Sequence, residues 1–269
     1  MEVVVITGIG GMGMAVARRL GVGRQLVLAD FDAARLESVA ATLSGEGYAV
    51  QTQKVDVSDA DSVARLAETA AKAGVLRTLV HTAGLSPTMA SAERILVVDL
   101  AGTIHVLDAF LPHVQPGTVG VFIASMAGSL HPFPADMEKI LATTPTAGLG
   151  ELIKKLLVNL DTAKAYGIAK RCNQLRVQAV APAWGKRGGR VVSISPGVIS
   201  TPMGQQELEG HPKEVNHMLS ISPVNRIGTA EDIASAVDWL ASPAAGFITG
   251  SDVLVDGGVV SALRWSAAS

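Results

Sequence analysis

The chain has 269 residues, 48% of them hydrophobic, which is enough for one domain over residues 1–269 with a substantial buried core. Its 22 basic and 24 acidic residues leave a formal net charge of -2, so neither nucleic acid nor an anionic membrane is an expected partner. The chain has a single cysteine, no signal-like apolar start and no run of about twenty apolar residues, so we expect a soluble cytoplasmic protein without internal disulfides.

The first element is a β-branched run from Val3 to Ile6, followed by a glycine turn and a helix from Met14 to Leu20. Strand, glycine turn and helix in this order are typical of a dinucleotide site. The glycines let the backbone approach a pyrophosphate, and the helix N-terminus attracts the anion. Gly8, Gly10 and Gly13 fit the Gly-x-Gly-x-x-Gly pattern, although such glycines can also serve a tight turn alone.

A second strand, Gln25 to Ala29, ends at Asp30, which follows Gly8 by 22 residues (30 minus 8). A carboxylate at this place accepts hydrogen bonds from an adenosine ribose. The alternative is a helix cap, a role that Asp32 can fill equally well, and we favour Asp30 for the ribose. The negative charge of Asp30 predicts NAD(H) rather than NADP(H), since Arg35, the nearest cation in sequence, is expected to point to solvent.

A third strand, Ala49 to Val55, ends at Asp56 and Val57, where the aspartate either contacts adenine or caps the strand end. A helix from Ala60 to Ala73 and a strand from Thr78 to His81 follow, with Thr82, Ala83 and Gly84 as the next turn. Strands and helices thus alternate along the chain. This order predicts an α/β fold, a single-domain Rossmann doubly wound parallel sheet flanked by helices.

A helix from Arg94 to Leu111 precedes the strand Val119 to Ala124, which ends at Ser125. Doubly wound sheets bind ligands at the carboxyl ends of their strands, so Ser125 is a candidate site residue. The alternative is a turn hydroxyl that bonds only to nearby backbone.

The segment from Gly128 to Thr162 is the irregular part of the chain, since His131, Pro132, Phe133 and Pro134 exclude a regular helix at its start. Its later part carries a helical apolar stripe, expected to pack on the protein rather than enter a membrane: Ile153, Leu156, Leu157 and Leu160. We expect this segment and a mobile flap, Met203 to Ser222, to form an apolar cover over a substrate pocket.

Tyr166 and Lys170 are four residues apart in a helix expected to run to about Trp184, so they share one helix face. A nearby ammonium favours the phenolate, and the pair could therefore exchange a proton with a carbonyl or alcohol near neutral pH. Taken alone, the spacing is weak evidence for catalysis, and an aromatic ring covered by a lysine stem is the commoner arrangement. The remaining elements are a strand, a helix and a final strand: Arg190 to Ile194, Ala230 to Ala241 and Val253 to Val255.

Several common site signatures do not occur in the sequence. There is no His-Glu-x-x-His pair and no Cys-His cluster, so no metal site is expected. There is also no Gly-x-Ser-x-Gly elbow, which removes the obvious hydrolase interpretation.

The motifs resemble, in their order, those of the short-chain dehydrogenase/reductase family over nearly the whole chain. They are Thr7-Gly8 with the glycine turn, Thr82-Ala83-Gly84, Ser125, Tyr166 with Lys170, Ser195-Pro196-Gly197, Arg226-Ile227-Gly228, Ile248-Thr249-Gly250 and Asp256-Gly257-Gly258. The resemblance implies that Tyr166 is the general acid/base, that Ser125 holds the substrate oxygen, and that Lys170 bonds the nicotinamide ribose. It also implies that backbone near Val198 and the Thr201 hydroxyl hold the carboxamide and pyrophosphate.

The resulting cofactor set combines these residues with those of the glycine turn and the strand ends. It comprises Gly8, Gly10, Gly11, Met12, Gly13, Asp30, Phe31, Asp56, Val57, Thr82, Ala83, Gly84, Tyr166, Lys170, Pro196, Gly197, Val198 and Thr201. The catalytic set comprises Ser125, Tyr166, Lys170 and Asp99.

The chain departs from the family pattern in three places. Its glycine turn is one residue shorter than usual, and Asp99 stands where the family generally has an asparagine that orders a water leading to Lys170. This aspartate could keep the backbone role, or it could pair with a cation and alter the proton path. Ser125 and Tyr166 are 41 residues apart (166 minus 125), a longer spacing than is common, similar to that of some bacterial hydroxysteroid dehydrogenases and carbonyl reductases.

The resemblance implies an NAD-dependent oxidoreductase that interconverts a secondary alcohol and a ketone by hydride transfer. An apolar or bulky, steroid-like substrate and a homo-oligomer, either dimer or tetramer, are expected. One alternative is an NAD-dependent epimerase or dehydratase, although such relatives generally carry a longer C-terminal substrate domain. The other is a non-catalytic NAD-binding regulator, which would not need Ser125, Tyr166 and Lys170.

Overall fold

The computed structural model describes residues 1–130 and 133–265. The strands of these residues are β1 (Glu2–Thr7), β2 (Gln25–Asp30), β3 (Ala49–Lys54), β4 (Val75–His81), β5 (Val119–Ile123), β6 (Arg190–Pro196), β7 (Ile199–Ser200), β8 (Gly228–Thr229) and β9 (Asp252–Val255). Seven of them form one sheet in the order β3-β2-β1-β4-β5-β6-β9, and all its pairings are parallel. The small β7–β8 pair is separate.

The α-helices in the described part of the chain lie between and around these strands. They are α1 (Gly11–Leu20), α2 (Ala33–Gly45), α3 (Ala60–Ala73), α4 (Ala92–Ile95), α5 (Gly102–Phe110), α6 (Ala127–Leu130), α7 (Ala135–Thr143), α8 (Leu149–Leu156), α9 (Thr162–Lys186), α10 (Pro202–Gly210), α11 (Pro212–Ile221), α12 (Ala230–Ala241) and α13 (Val259–Trp265). The predicted doubly wound α/β sheet is confirmed, and α3 and α12 match their predicted bounds.

The sheet is apolar on both faces because the residues of each strand alternate between two helix layers. Val4 and Ile6 of β1 pack in one buried cluster with residues of α1 and α12, whereas Val3 and Val5 pack in another with residues of α3, α5 and α9. The strand order reverses between β1 and β4, where Thr7 pairs with both Ala29 and His81. Ligands bind at such a reversal, at the carboxyl edge of the sheet.

The helix predicted from Arg94 to Leu111 is interrupted. A π-helical turn, Leu96–Ala101, separates α4 from α5 and contains Asp99. Such turns are rare and often occur at functional sites. The whole stretch Ala92–His113 has the length and hydropathy of a membrane span, contrary to our expectation, but 72% of its apolar window is buried inside the protein, as in a core helix.

The inserted segment is largely helical: α8 carries the start of the predicted helical apolar stripe, whereas α7 lies in a part that was predicted as irregular. In the described part of the segment, α7 and α8 place their apolar side chains in a third buried cluster with residues of α4, α5, the π-helical turn and α9: Leu141, Leu149, Leu152, Ile153 and Leu156. The predicted stripe therefore packs on the protein, as expected. His131 and Pro132 lie outside the described residues. None of three clefts on the described surface is lined by this segment.

The predicted flap also contains regular structure. It consists of α10 and α11, each of which begins at a proline. Proline is favoured at the first helical position, where its missing N–H is no loss. Prolines that suggested an irregular flap therefore mark two helix starts.

Candidate active site

The glycine turn brings β1, β4 and α1 together at the sheet reversal. Gly8 has a positive φ of 84°, and a Cβ on this residue would lie 2.5 Å from the backbone nitrogen of Ala83. A Cβ on Gly13 would collide with the carbonyl oxygen of Gly8. Because α1 begins at Gly11 and its cap, Gly10, has no side chain, the first N–H groups of the helix remain available for an anion. These features fit a bound dinucleotide.

A cleft of about 610 Å³ begins at this turn and has the size of a small-molecule site. Most residues of the predicted cofactor set line it: Gly8, Gly10, Gly11, Met12, Gly13, Asp30, Phe31, Asp56, Val57, Thr82, Ala83, Gly84 and Thr201. Thr201 caps α10 and stands next to Gly11, since a Cβ on Gly11 would lie 2.9 Å from its methyl carbon.

Five residues of the predicted cofactor set do not line this cleft: Tyr166, Lys170, Pro196, Gly197 and Val198. Gly197 and Val198 line a different cleft. Gly197 lies next to Asp256, since a Cβ on Gly197 would lie 2.7 Å from the Asp256 Cα. Pro196 ends β6, and its carbonyl oxygen accepts a hydrogen bond from the Met126 N–H at 3.0 Å. The expected contact of the backbone near Val198 with the cofactor stays a prediction.

Asp30 and Asp32, the two candidates for the ribose and cap roles, make different local contacts. The carboxylate of Asp30 is 8% exposed and accepts hydrogen bonds from the backbone N–H of Ile9 at 2.7 Å and of Asp32 at 2.9 Å. Asp32 caps α2 by accepting from the N–H of Ala34 and Arg35. Asp30 thus lies at the cleft, its carboxylate is held by two backbone hydrogen bonds, and Asp32 rather than Asp30 caps α2.

Arg35 does not point away from the cleft, so that expectation is wrong. Its guanidinium lies 3.6 Å from Asp30 Oδ2 and 3.7 Å from Asp32 Oδ2, while half of the side chain stays exposed. The position follows from the first turn of α2, which places Arg35 one turn after its own N-cap. A second cation, Lys54, lies 5.6 Å from the ring centre of Phe31.

Asp56 makes local contacts and also faces a basic residue that the sequence did not single out. Its Oδ1 accepts hydrogen bonds from the N–H and hydroxyl of Ser58, while Oδ2 lies 3.6 Å from the Arg94 guanidinium. Arg94 lines the cleft from α4. No spacing in the sequence could identify it, since residues 56 and 94 meet only in the folded sheet.

Ser125, Tyr166 and Lys170 form a contiguous group at the carboxyl end of β5. Lys170 Nζ lies 5.3 Å from the centre of the Tyr166 ring, and the Ser125 hydroxyl is a polar neighbour that acts to lower the pKa of the Tyr166 phenol. The Ser125 hydroxyl also accepts from the N–H of Ala127, as expected of a turn hydroxyl, and its role towards a substrate stays a prediction. Burial raises the pKa of Tyr166 above its usual range, and the nearby Lys170 charge opposes that rise.

Asp99 forms a buried ion pair with Lys170, with Nζ and Oδ2 separated by 3.1 Å and both side chains at most 6% exposed. The backbone N–H of Leu85 donates to the other carboxylate oxygen at 2.8 Å. Burial lowers the pKa of Lys170, but Asp99 and Tyr166 outweigh it and raise the pKa above its usual range. Of the two roles considered for Asp99, the structure thus shows pairing with a cation.

A buried histidine lies near the same lysine. Burial, assisted by the Lys170 charge, lowers the pKa of His81 to about 3, so this residue is neutral at physiological pH. Its Nδ1 lies 2.6 Å from the Thr7 hydroxyl.

Gln174 is a neighbour of the site that the sequence analysis missed. Its side-chain amide lies 3.4 Å from the carbonyl oxygen of Ser125 and 2.9 Å from the Ser195 hydroxyl. The four-residue step from Tyr166 to Lys170 continues to Gln174, and this repeat on one helix face was a usable signal. Within residues 1–130 and 133–265 no group of three or more His, Cys, Asp or Glu side chains could hold a metal ion.

Comparison with known proteins gives consistent matches. Residues 2–136 match the family model described as short chain dehydrogenase, and residues 153–260 match one described as Enoyl-(Acyl carrier protein) reductase. The chain is 38% identical to a short-chain dehydrogenase/reductase of Alternaria brassicicola, with 98% of both chains covered. It is 26% identical to the 3-alpha-hydroxysteroid dehydrogenase/carbonyl reductase of Comamonas testosteroni, again over 98% of both. A crystal structure of a short-chain dehydrogenase/reductase from Brucella melitensis is similar, with a TM-score of 0.76, 27% identity and 96% of both chains covered.

Proposed function

The chain belongs to the short-chain dehydrogenase/reductase family, and on that premise we propose that it interconverts a secondary alcohol and a ketone with NAD(H). The observation that carries the proposal is the group formed by Ser125, Tyr166 and Lys170 at the carboxyl edge of the sheet, where the glycine-turn cleft also opens. Proton donor, oxygen-holding hydroxyl and dinucleotide cradle then belong to one site.

The chain's own residues handle the proton. In reduction, the Tyr166 hydroxyl gives its proton to the carbonyl oxygen, while Ser125 donates a hydrogen bond that holds this oxygen in place. In oxidation, the tyrosinate takes the proton of the alcohol. Bound NAD(H) supplies or accepts the hydride at the carbon. The residues that would hold it are those of the glycine turn, with Asp30 at the adenosine ribose and Lys170 at the nicotinamide ribose.

NAD(H) is proposed rather than NADP(H) because the carboxylate of Asp30 is fixed and lies at the cleft. A ribose with two free hydroxyls can donate to it, whereas a phosphate on one of them brings a like charge. Arg35 reduces this repulsion without removing it, because Asp32 adds a second carboxylate. Cofactor choice therefore depends on the balance between the carboxylates of Asp30 and Asp32 and the Arg35 cation that faces both.

We further propose that the substrate is apolar or bulky. Apolar side chains of Leu85, Met89 and Met203 line the cleft, and the Comamonas testosteroni relative is named for a hydroxysteroid. The inserted segment contributes no lining residue, so α10 rather than the insertion is the proposed substrate cover. The measurement is kcat/KM for ketones of rising size, and a preference for the smallest polar ketones would contradict this assignment.

The test of the function is reduction of a ketone panel with NADH and with NADPH, followed by the nicotinamide absorbance. An oxidoreductase consumes the nicotinamide in proportion to the alcohol formed. An epimerase or dehydratase would convert its substrate without net consumption, and a non-catalytic regulator would bind NADH without turnover. Absence of consumption with every ketone and every alcohol would contradict the proposal.

A homo-oligomer in the cytoplasm remains our expectation. Large apolar side chains are exposed near the edge of the sheet, on or beside α12 and β9: Trp239, Phe247 and Leu254. Such exposed groups are costly for a monomer and are typical of subunit contacts. Light scattering should give the mass of a dimer or tetramer, and the mass of a single chain at micromolar concentration would contradict the expectation.

A further inference from the structure

The Lys170 ammonium has a counter-ion before any ligand binds. Asp99 Oδ2 lies 3.1 Å from Nζ, and burial of both side chains leaves little solvent to screen the pair. The pair is also crowded against the cleft wall, because a Cβ on Gly84 would lie 3.0 Å from Asp99 Oδ2 and 3.1 Å from Lys170 Nζ. The geometry is thus fixed from three sides, by α9, by the π-helical turn and by the turn after β4.

A paired lysine acts differently on the tyrosine from a lone one. An isolated cation near a phenol stabilises the phenolate and lowers the pH at which the proton leaves. A cation and an anion in contact are a dipole with no net charge, so their combined effect on a neighbouring phenol is much weaker. The remaining charged or titratable groups near Tyr166 and Lys170 do not restore the cation: Glu207 of α10 is an acid, and His81 of β4 is neutral.

We infer that Asp99 is a positioning residue that neutralises the Lys170 charge, so that Tyr166 keeps its proton at neutral pH and the site favours ketone reduction. The inference rests on the proposed function and adds the direction of the reaction. Reduction needs Tyr166 as the phenol, which loses one proton to the product oxygen and regains it from water. Oxidation needs the phenolate, which forms only at higher pH.

The pKa shifts agree with this geometry. Burial raises the pKa of Tyr166, Lys170 lowers it and Asp99 raises it again, with a net shift upward from the usual value. Asp99 acts to raise the pKa of Lys170, while burial raises the pKa of Asp99 and the Lys170 charge opposes that rise.

The chain offers a direct measurement because it has two tyrosines, Tyr48 and Tyr166. Tyr48 donates its hydroxyl to the Arg18 carbonyl oxygen at 3.0 Å and does not line the cofactor cleft, so Tyr48→Phe leaves Tyr166 as the sole source of phenolate absorbance. The experiment titrates this absorbance in Tyr48→Phe and in Tyr48→Phe/Asp99→Asn, without substrate or cofactor. Circular dichroism at each pH identifies phenolate that forms only on unfolding.

A free tyrosine has its midpoint at about pH 10, and with Asp99 present the midpoint of Tyr166 should lie above that value. With Asp99→Asn, the midpoint should fall by at least about one pH unit, since Lys170 is then unopposed. Equal midpoints, or a midpoint near neutral pH in the Asp99 protein, would overturn the inference. Because no substrate is used, this result is independent of whether the chain reduces ketones.

A second variant covers the case in which Asp99→Asn alone does not fold, since a buried lysine is then left unpaired. The double change Asp99→Asn/Lys170→Met removes both charges at similar volume. Its Tyr166 midpoint should stay close to that of the Asp99 protein, because the pair was already neutral. A rise of more than about one pH unit would show that Lys170 had been acting on Tyr166 as a free cation. In an active enzyme, the pH at which oxidation of an alcohol reaches half its maximum should move down with Asp99→Asn.

Discussion

At the residue scale, the charges around Asp30 decide which cofactor binds. Two like charges about 4 Å apart cost on the order of 4 kcal/mol at an effective dielectric near 20, and tenfold discrimination needs only about 1.4 kcal/mol. Arg35 lies 3.6 Å from Asp30 and offsets part of the repulsion. We therefore expect kcat/KM to favour NADH over NADPH by at least about tenfold in the wild type.

Two substitutions separate the contributions to this preference. Asp30→Ala should remove most of it, because the carboxylate that repels the phosphate is gone. Arg35→Ala should widen it, because the compensating cation is gone, and this variant is the matched control for loss of a side chain at the same edge. A wild type that prefers NADPH, or an Arg35→Ala variant that favours NADPH more strongly, would contradict the assignment.

Residues whose roles depend on local spacing could be predicted from the sequence. Asp30 follows its strand directly, and Tyr166 and Lys170 are one helical turn apart, so both features are visible along the chain. The position of Arg35 was predicted wrongly because its side chain folds back on two carboxylates of the preceding turn. Arg94 was missed because it lies on α4 and its partner, Asp56, follows β3, so the two meet only in the folded protein.

At the element scale, α12 begins with a capping box. Thr229 and Asp232 exchange hydrogen bonds with each other's backbone N–H, and Arg226 donates to the Asp232 carboxylate at 2.7 Å. Asp232→Asn should lower the free energy of unfolding by about 0.5–2 kcal/mol, the usual effect of losing a helix cap. The measurement is the urea midpoint.

The pH dependence of this effect has a definite sign. The hydrogen bonds from Arg226 and from the Thr229 backbone N–H lower the pKa of Asp232 in the folded protein. The stabilisation that Asp232 contributes is therefore present above its unfolded-state pKa, near 4, and disappears as the pH falls through its folded-state pKa. The difference between wild type and Asp232→Asn should be constant from about pH 5 to 8 and shrink below about pH 4. Glu231→Gln is the control, because it removes the same charge beside the box and its nearest cation, Arg19, is 4.0 Å away. An equal loss in both variants would show a general charge effect.

The inserted helices are part of the core rather than a loose cover. Leu141 of α7 is completely buried, so Leu141→Ala should cost about 2–5 kcal/mol of unfolding free energy, the range for a buried leucine. Val158, just after α8, is 72% exposed, and Val158→Ala should stay within about 0.5 kcal/mol of the wild type. A Leu141→Ala protein as stable as Val158→Ala would mean that α7 is detached from α9 in solution.

Helices were missed where proline marked their start. Pro202 and Pro212 lie at the first turns of α10 and α11, and Pro134 caps α7. Proline excludes a helix interior but is favoured at its first position, and sequence alone did not decide between the two. The π-helical turn at Leu96–Ala101 could not be predicted either, since the apolar pattern of a buried helix continues through it.

At the scale of the whole molecule, the site forms where the sheet order reverses between β1 and β4. The alternating order of strands and helices predicts this edge, and with it the meeting of the glycine turn, Thr82 and Ser125. From the sequence, pairing of Asp99 with a cation was only one of two alternatives, because Asp99 and Lys170 lie on two helices and are 71 residues apart (170 minus 99). The fold and the dinucleotide site at the glycine turn thus follow from local sequence patterns, whereas the charge state of the active site depends on tertiary contacts.

The most direct test of the proposed chemistry compares Tyr166→Phe with Tyr48→Phe in ketone reduction. Both changes remove one phenolic hydroxyl and keep the ring, but the Tyr48 hydroxyl donates to the Arg18 carbonyl oxygen and lies off the cleft. Tyr166→Phe should bind NADH as the wild type does and lose about 10²- to 10⁴-fold in kcat, the usual contribution of a general acid, whereas Tyr48→Phe should keep its turnover. A Tyr166→Phe enzyme that retains more than about a tenth of the wild-type kcat would contradict the assignment of Tyr166 as proton donor.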